Sequence, residues 1–124
     1  MKMYEVLALQ NFYLSIHDKK LPIKTAYKLS RLAKRAEEES QFYQSQIQKI
    51  IDEYALKENG QLVYSEDMTS IKIISGKEDE CAVKLTELRE LEVDMKDFEF
   101  SIEEFENLEL TIAQMSSILP LIKN

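Results

Sequence analysis

"PIKTAYKLSRLAKRAEEESQFYQSQIQKIIDEYALKE", residues 22–58, is the stretch that decides the fold. Small or apolar side chains recur along it in alternating steps of three and four residues, the coiled-coil-like spacing of one helix face. The proline at its start suits a first helical turn, where its missing N–H would have no partner. We therefore predict a long helix over 22–58, about 50 Å in length. Its apolar face consists of Ala26, Leu29, Ala33, Ala36, Ser40, Tyr43, Ile47, Ile50 and Tyr54.

The insert that follows, "ENGQLVYSEDMTSIKIISG" (58–76), contains the only two glycines of the chain. Gly60 fits the position that ends the long helix, because glycine adopts the left-handed conformation found there without strain. The runs "QLVY" and "SIKII" are rich in β-formers and flank a polar loop. This pattern predicts a β-hairpin over 61–74 at the tip of the helix.

A second, shorter helix is predicted over 77–91. Cys81, Leu85 and Leu88 form an apolar stripe at helical spacing, and three acidic residues stand near its start, where they favour the positive end of the helix dipole. Folded back through the hairpin, this return helix covers the distal half of the long one. The two helices form an antiparallel αα hairpin tipped by the β-hairpin.

The two ends of the chain supply the remaining elements. Apolar and β-branched residues over 3–9 predict a short strand, and alternating apolar and acidic residues over 91–102 predict one or two more. We expect these strands to pair in a small terminal sheet, and a closing helix to follow over 111–122. The predicted fold class is mainly α with minor β (α+β), in a single domain over 1–124.

Charge is distributed unevenly along the chain. Residues 1–57 contain ten Lys or Arg and seven Asp or Glu, whereas residues 58–124 contain six and sixteen, so the net charge of −7 is the sum of +3 and −10. The halves should attract each other. Nucleic acid is a less favoured partner, because the acidic half would repel phosphates.

Few residues have the spacing that catalysis or cofactor binding needs. His17 stands beside Asp18, but no recognisable nucleophile motif accompanies the pair, and the consecutive acids 37–39 point in different directions around a helix. We expect no enzyme activity, no cofactor, no metal site and no small-molecule substrate. The one cysteine favours a reducing cytoplasm, the first ten residues lack a signal-peptide pattern, and no apolar run is long enough for a membrane partner.

Two sets of residues are candidates for binding a partner. Lys24, Lys28, Arg31 and Arg35 follow one helix face, with no acidic residue between positions 19 and 36. This stripe either meets the acidic half of the chain, in the same molecule or a neighbouring copy, or docks nucleic acid or an acidic protein. The second set lies on the predicted β-hairpin, which either folds back on the helix ends or is completed by another chain. It comprises Leu62, Tyr64, Ile71 and Ile73.

The order of these features, with "EYALKENGQLVY" after the long helix and "FENLELTIAQMSSILPLI" near the end, resembles a group of small uncharacterised tailed-bacteriophage proteins. The likeness covers most of the chain and includes the Leu-Glu-Leu-Thr start of the last helix, Leu108 to Thr111. Here tyrosines occupy positions where aliphatic residues would serve. The resemblance implies a phage origin, in the infected host cytoplasm or the virion, and a small non-enzymatic accessory role.

The leading hypothesis is therefore a non-catalytic phage protein that oligomerises or binds another protein in virion or tail assembly. An alternative is an inhibitor of a host or defence enzyme, in which the carboxylates from Glu87 to Glu109 mimic nucleic acid. A weaker alternative is nucleic-acid binding by the basic helix face.

Overall fold

The long helix runs from Ile23 to Tyr54 and is named α2 in the computed structural model of the protein, which describes residues 1–123. The other helices are α1 (Met3–Ile16), α3 (Glu78–Arg89) and α4 (Ile112–Ile118). Two short strands, β1 (Lys57–Glu58) and β2 (Gln61–Leu62), form an antiparallel sheet, and 3-10 turns cover Ile102–Phe105 and Leu119–Leu121. The predicted class, mainly α with minor β, is confirmed.

The chain divides into two compact units. The terminal unit comprises Met1–Gln41 and the residues from Leu91 onward, and the central unit is Phe42–Glu90. Where the sequence predicts a single domain over 1–124, its contacts thus fall into two groups, and α2 contributes residues to both.

The core of the terminal unit is built from α1, the first half of α2 and the residues from Leu91 onward. Phe12 meets Phe105 edge-on with ring centroids 6.1 Å apart, and Phe105 lies 5.4 Å from Phe100. Helix α4 packs against α1, where the Gln114 side chain donates to Ser15 Oγ (3.0 Å). The buried apolar residues are Met3, Val6, Leu9, Phe12, Ile16, Leu29, Leu32, Ala36, Val93, Met95, Phe100, Phe105, Ile118 and Leu121.

Residues 3–9 are helical, so the prediction of a strand there is wrong. Met3, Val6 and Leu9 continue into Phe12 and Ile16 at steps of three and four, and all five are buried on one side of α1. The Glu5 carboxylate accepts a hydrogen bond from Lys2 N (2.9 Å), which satisfies an N–H at the start of the helix. Helical periodicity over fourteen residues prevails over the local β propensity.

Without a strand at 3–9, the predicted terminal sheet does not form, and residues 91–102 make only single bridges. Lys2 pairs with Glu92, and Phe100 pairs with Ile122. The alternation seen in the sequence nevertheless identifies the buried side, because Val93, Met95 and Phe100 are all buried. The closing helix expected over 111–122 is α4 and the 3-10 turn after it, with Thr111 Oγ1 accepting from Gln114 N (3.1 Å) at its start.

In the central unit, α3 returns along the end of α2 as the predicted helical hairpin. The Tyr54 hydroxyl donates to Glu80 (3.0 Å), and Lys84 contacts Glu53 (3.4 Å). A later residue of α3 thus contacts an earlier residue of α2, so the two helices are antiparallel. Helix α3 covers Glu78–Arg89, against the predicted 77–91.

The long helix ends at Tyr54, four residues before the predicted boundary, and Gly60 does not cap it. The backbone of Ala55 and the residues after it pairs with extended segments instead. Asn59 (φ 53°) and Gly60 (φ 78°) are both left-handed and form the two-residue turn between β1 and β2. Such turns favour Asn-Gly, so this dipeptide is a hairpin signal.

Candidate interaction surfaces

The tip of the central unit is made of three short extended segments. They cover residues 55–58, 61–65 and 70–74. Leu56 N donates to Lys72 O (2.9 Å), Lys72 N donates to Val63 O (2.8 Å), and Val63 N donates to Leu56 O (3.1 Å). These three hydrogen bonds form a closed backbone ring, in which each middle residue donates to one neighbouring segment and accepts from the other.

The backbone ring explains how the predicted hairpin is completed. Tyr64 pairs with Ile71 as expected for a hairpin over 61–74, and Ile73 pairs with Ala55 directly after α2. Each segment changes partner at its middle residue, so no pairing extends far along one edge. A partner chain would therefore meet side chains at the tip rather than add a strand to a long edge.

The four hairpin residues singled out in the sequence differ in exposure. Leu62, Ile71 and Ile73 are half-buried, whereas 44% of Tyr64 is exposed. Met68 in the loop is 70% exposed, and it was not among the predicted residues because its neighbours in "SEDMT" are polar. We name these five residues the tip surface.

The loop that carries Met68 is held by Asp67. Its carboxylate accepts hydrogen bonds from the hydroxyls of Ser65 and Thr69 and from Thr69 N (3.2 Å). The bond from Ser65, followed by those from Thr69, lowers the pKa of Asp67 to about 2. Met68 itself is left-handed (φ 61°). The loop thus holds an apolar side chain in solvent at a fixed place.

The base of the tip is fixed by Tyr54, which is buried at the end of α2. Burial raises the pKa of its hydroxyl, and the hydrogen bond to Glu80 acts in the same direction. The Tyr54 hydroxyl and then Lys77 lower the pKa of the Glu80 carboxyl in return. Lys84 lies over the Tyr54 ring, 5.2 Å from its centroid.

The predicted basic stripe of α2 divides into two sets. Lys28 is bound within the terminal unit: it contacts Glu104 (3.1 Å), donates to Glu99 O (2.9 Å) and lies over the Phe100 ring. Arg35 is paired with Glu39 one turn along the helix (2.9 Å). Lys28 therefore meets the acidic half of the chain within the molecule, as in the first alternative for the stripe, whereas the partner of Arg35 lies on α2 itself.

Glu104 is the acceptor at the centre of the Lys28 contacts. Thr25 Oγ1 (3.0 Å) and Ser101 N (2.7 Å) also donate to its carboxylate. Burial by itself would raise the pKa of Glu104, but the hydrogen bonds from Ser101, Lys28 and Thr25 outweigh it and lower the pKa. Glu104 thereby links the final part of the terminal unit to the start of α2, since Thr25 is 79 positions earlier in the chain.

The other two cations, Lys24 and Arg31, are exposed. The Arg31 guanidinium lies 5.9 Å from the Tyr27 ring and 5.8 Å from the Phe98 ring. Tyr27 is 65% exposed, and Lys34 is exposed one helical turn further on. We name Lys24, Tyr27, Arg31 and Lys34 the cationic face. Tyr27 and Lys34 were not predicted to belong to it. The stripe was chosen by charge and by angle around the helix axis, and neither shows which side of the stripe is packed.

Several carboxylates between Glu87 and Glu109 are paired. Glu92 contacts the N-terminal amine (3.5 Å), Glu99 contacts Lys123 (2.8 Å), and Asp94 lies 3.9 Å from Lys96. Together with Glu104, these ion pairs remove part of the free negative charge that mimicry of nucleic acid would use.

His17 is exposed at the end of α1, where its Nδ1 donates to Leu14 O (2.8 Å). Within residues 1–123, no group of three or more His, Cys, Asp or Glu side chains is arranged to hold a metal ion. No helix in that same range has the length and apolar character to cross a membrane. Comparison of the chain with family models, curated proteins and solved structures finds no match.

Proposed function

We propose that the protein is a non-catalytic bacteriophage accessory protein that acts by binding other proteins, or further copies of itself, in virion or tail assembly. The phage setting is suggested by the sequence resemblance. The binding role is supported by one observation above all: Tyr64 and Met68 are held exposed at the tip by a hydrogen-bonded loop.

Such an arrangement suits recognition for two physical reasons. Tyrosine and methionine are enriched where proteins contact one another, because both bury much apolar area and adapt to a partner surface. The bonds of Asp67 order the loop beforehand, so less conformational entropy is lost on binding. The half-buried Leu62, Ile71 and Ile73 would extend the apolar contact beneath the two exposed side chains.

The test is affinity capture from phage-infected cells with the wild-type chain and with the double variant Tyr64→Asp, Met68→Asp. We expect the variant to lose a specific phage protein at least tenfold, because two new charges would be desolvated in the contact. Both positions are exposed, so the variant should fold, as circular dichroism will check.

The matched control is Leu14→Asp with Ile112→Asp, which adds the same charge at apolar side chains that are 58% and 88% exposed in the terminal unit. Equal capture by wild type, tip variant and control would contradict the proposal. Mass spectrometry of purified particles and assembly intermediates tests the setting, and absence from both would exclude a direct part in assembly.

A further inference from the structure

Two helix faces of the chain carry opposite charges at closely matched spacing. On α2, Lys24 and Arg31 of the cationic face are seven residues apart with Tyr27 between them. On α3, Asp79 and Glu87 are eight residues apart with Val83 between them. At a rise of about 1.5 Å per residue these separations are about 10.5 and 12 Å. We name Asp79, Val83 and Glu87 the acidic face.

Both faces are open to solvent. Tyr27 is 65% and Val83 is 55% exposed, and the charged residues on either side of them are also exposed. A shallow depression of about 280 Å³ lies beside Val83, lined by Ala82, Val83, Thr86, Glu87 and Glu90. Its partly apolar lining can receive an aromatic ring.

The charges of these faces are not neutralised by ion pairs inside the molecule. Among the residues that the structure describes, Lys24, Lys34, Asp79 and Glu87 make no ion pair. By contrast, Lys28 is neutralised by Glu104. The unpaired charges are therefore available to a second molecule.

We propose that the cationic face of one copy docks on the acidic face of a second copy. Lys24 and Arg31 then lie opposite Glu87 and Asp79, and Tyr27 enters the depression beside Val83. Charge complementarity at closely matched spacing favours a second copy over nucleic acid, because the net charge of −7 would oppose approach to a phosphate backbone. This inference rests on the self-association part of the proposed function and uses a surface other than the tip.

The contact is heterologous, since the two faces are different surfaces of the chain. Each added copy leaves one cationic and one acidic face free, so assembly continues beyond a dimer unless a ring closes. The contact is also electrostatic and is weakened by salt. Mass should therefore rise with protein concentration and fall with ionic strength.

Light scattering after size exclusion tests the proposal through charge reversal. Wild type at low ionic strength should exceed twice the 14.5 kDa of one chain at high concentration. Lys24→Glu with Arg31→Glu should be monomeric, and so should Asp79→Lys with Glu87→Lys. The chain with all four changes keeps the net charge of −7 and restores opposite charges across the contact, so it should associate again.

Lys19→Glu with Lys49→Glu is the control. It changes the net charge by the same amount as the double variant of the cationic face, but at exposed lysines that lie outside both faces. Circular dichroism confirms that each variant is helical.

A monomeric wild type, or a fourfold variant that stays monomeric, overturns the inference. The inference is also overturned if wild type binds a single-stranded oligonucleotide and the variant Lys24→Glu, Arg31→Glu loses this binding but still self-associates. Affinity capture through the tip is measured on the same variants, so failure of this inference is distinguished from failure of the tip proposal.

Discussion

Glu104 shows how one residue can both stabilise the fold and determine which surface is free. Its carboxylate accepts from Thr25, Lys28 and Ser101, and it is only 19% exposed. By engaging Lys28, it removes one cation from the stripe seen in the sequence. The cationic face is therefore defined partly by a residue from the other end of the chain.

Replacing Glu104 by Gln should lower the free energy of unfolding by about 1–2 kcal/mol at pH 7. The neutral amide would turn a donor group towards donors and would lose the charge-assisted bond to Lys28. Chemical denaturation measures the change. Glu103→Gln is the control, since Glu103 is the exposed neighbour, and an equal loss in both variants would contradict the role given to Glu104.

The same residue predicts a dependence on pH. The pKa of Glu104 is lower in the folded than in the unfolded chain, so its stabilisation is complete above the ordinary value of 4.5 and is lost as pH falls through the folded pKa. The stability difference between wild type and Glu104→Gln should therefore shrink on acidification from pH 7. A difference that stays constant from pH 7 down to below the folded pKa would show that Glu104 does not titrate in this way.

At the level of elements, the backbone ring depends on N–H groups rather than on side chains. Lys72→Pro removes the donor to Val63 O, and the unpaired carbonyl should cost about 1–3 kcal/mol. Lys72→Ala keeps the N–H and is the matched control. Amide exchange over 54–74 should accelerate in the proline variant alone, and protection retained in both variants would mean that the ring is not needed for the tip.

The elements that sequence reasoning predicted well are those with long periodicity. Steps of three and four residues identify α2 because they persist over many turns, and alternation marks Val93, Met95 and Phe100 as buried even though no sheet forms. The strand predicted at 3–9 is wrong because seven residues are too few to distinguish the two periods. The end of α2 was misplaced because the pairing that replaces it comes from Lys72 and Ile73, far along the chain.

The candidate surfaces were predictable only in part, for a related reason. The predicted hairpin included Tyr64, but the ion pair of Lys28 depends on Glu104, and the hydrogen bonds beside Met68 depend on Asp67. Contacts between distant residues have no signal in local composition.

For the molecule as a whole, the core of the terminal unit depends on rings from its two separate stretches of chain. Phe100→Ala should cost about 3–5 kcal/mol, because Phe100 is 2% exposed and packs against Phe105. Ile112→Ala is the control at an 88% exposed position and should change stability little. Denaturant titration measures both, and a small loss in both would show that Phe100 is not a core residue.

Along the sequence, the central unit is inserted between the two stretches of the terminal unit, and this order affects the order of folding. The hydrogen bonds of the backbone ring join residues at most sixteen positions apart, whereas Thr25 and Glu104 are separated by 79. Once the two shorter-range hydrogen bonds have formed, the residues of the third are already close, so forming it costs little further loop entropy. During synthesis, therefore, the central unit can close on itself while the first part of the terminal unit, already made, still waits for the residues that complete its core.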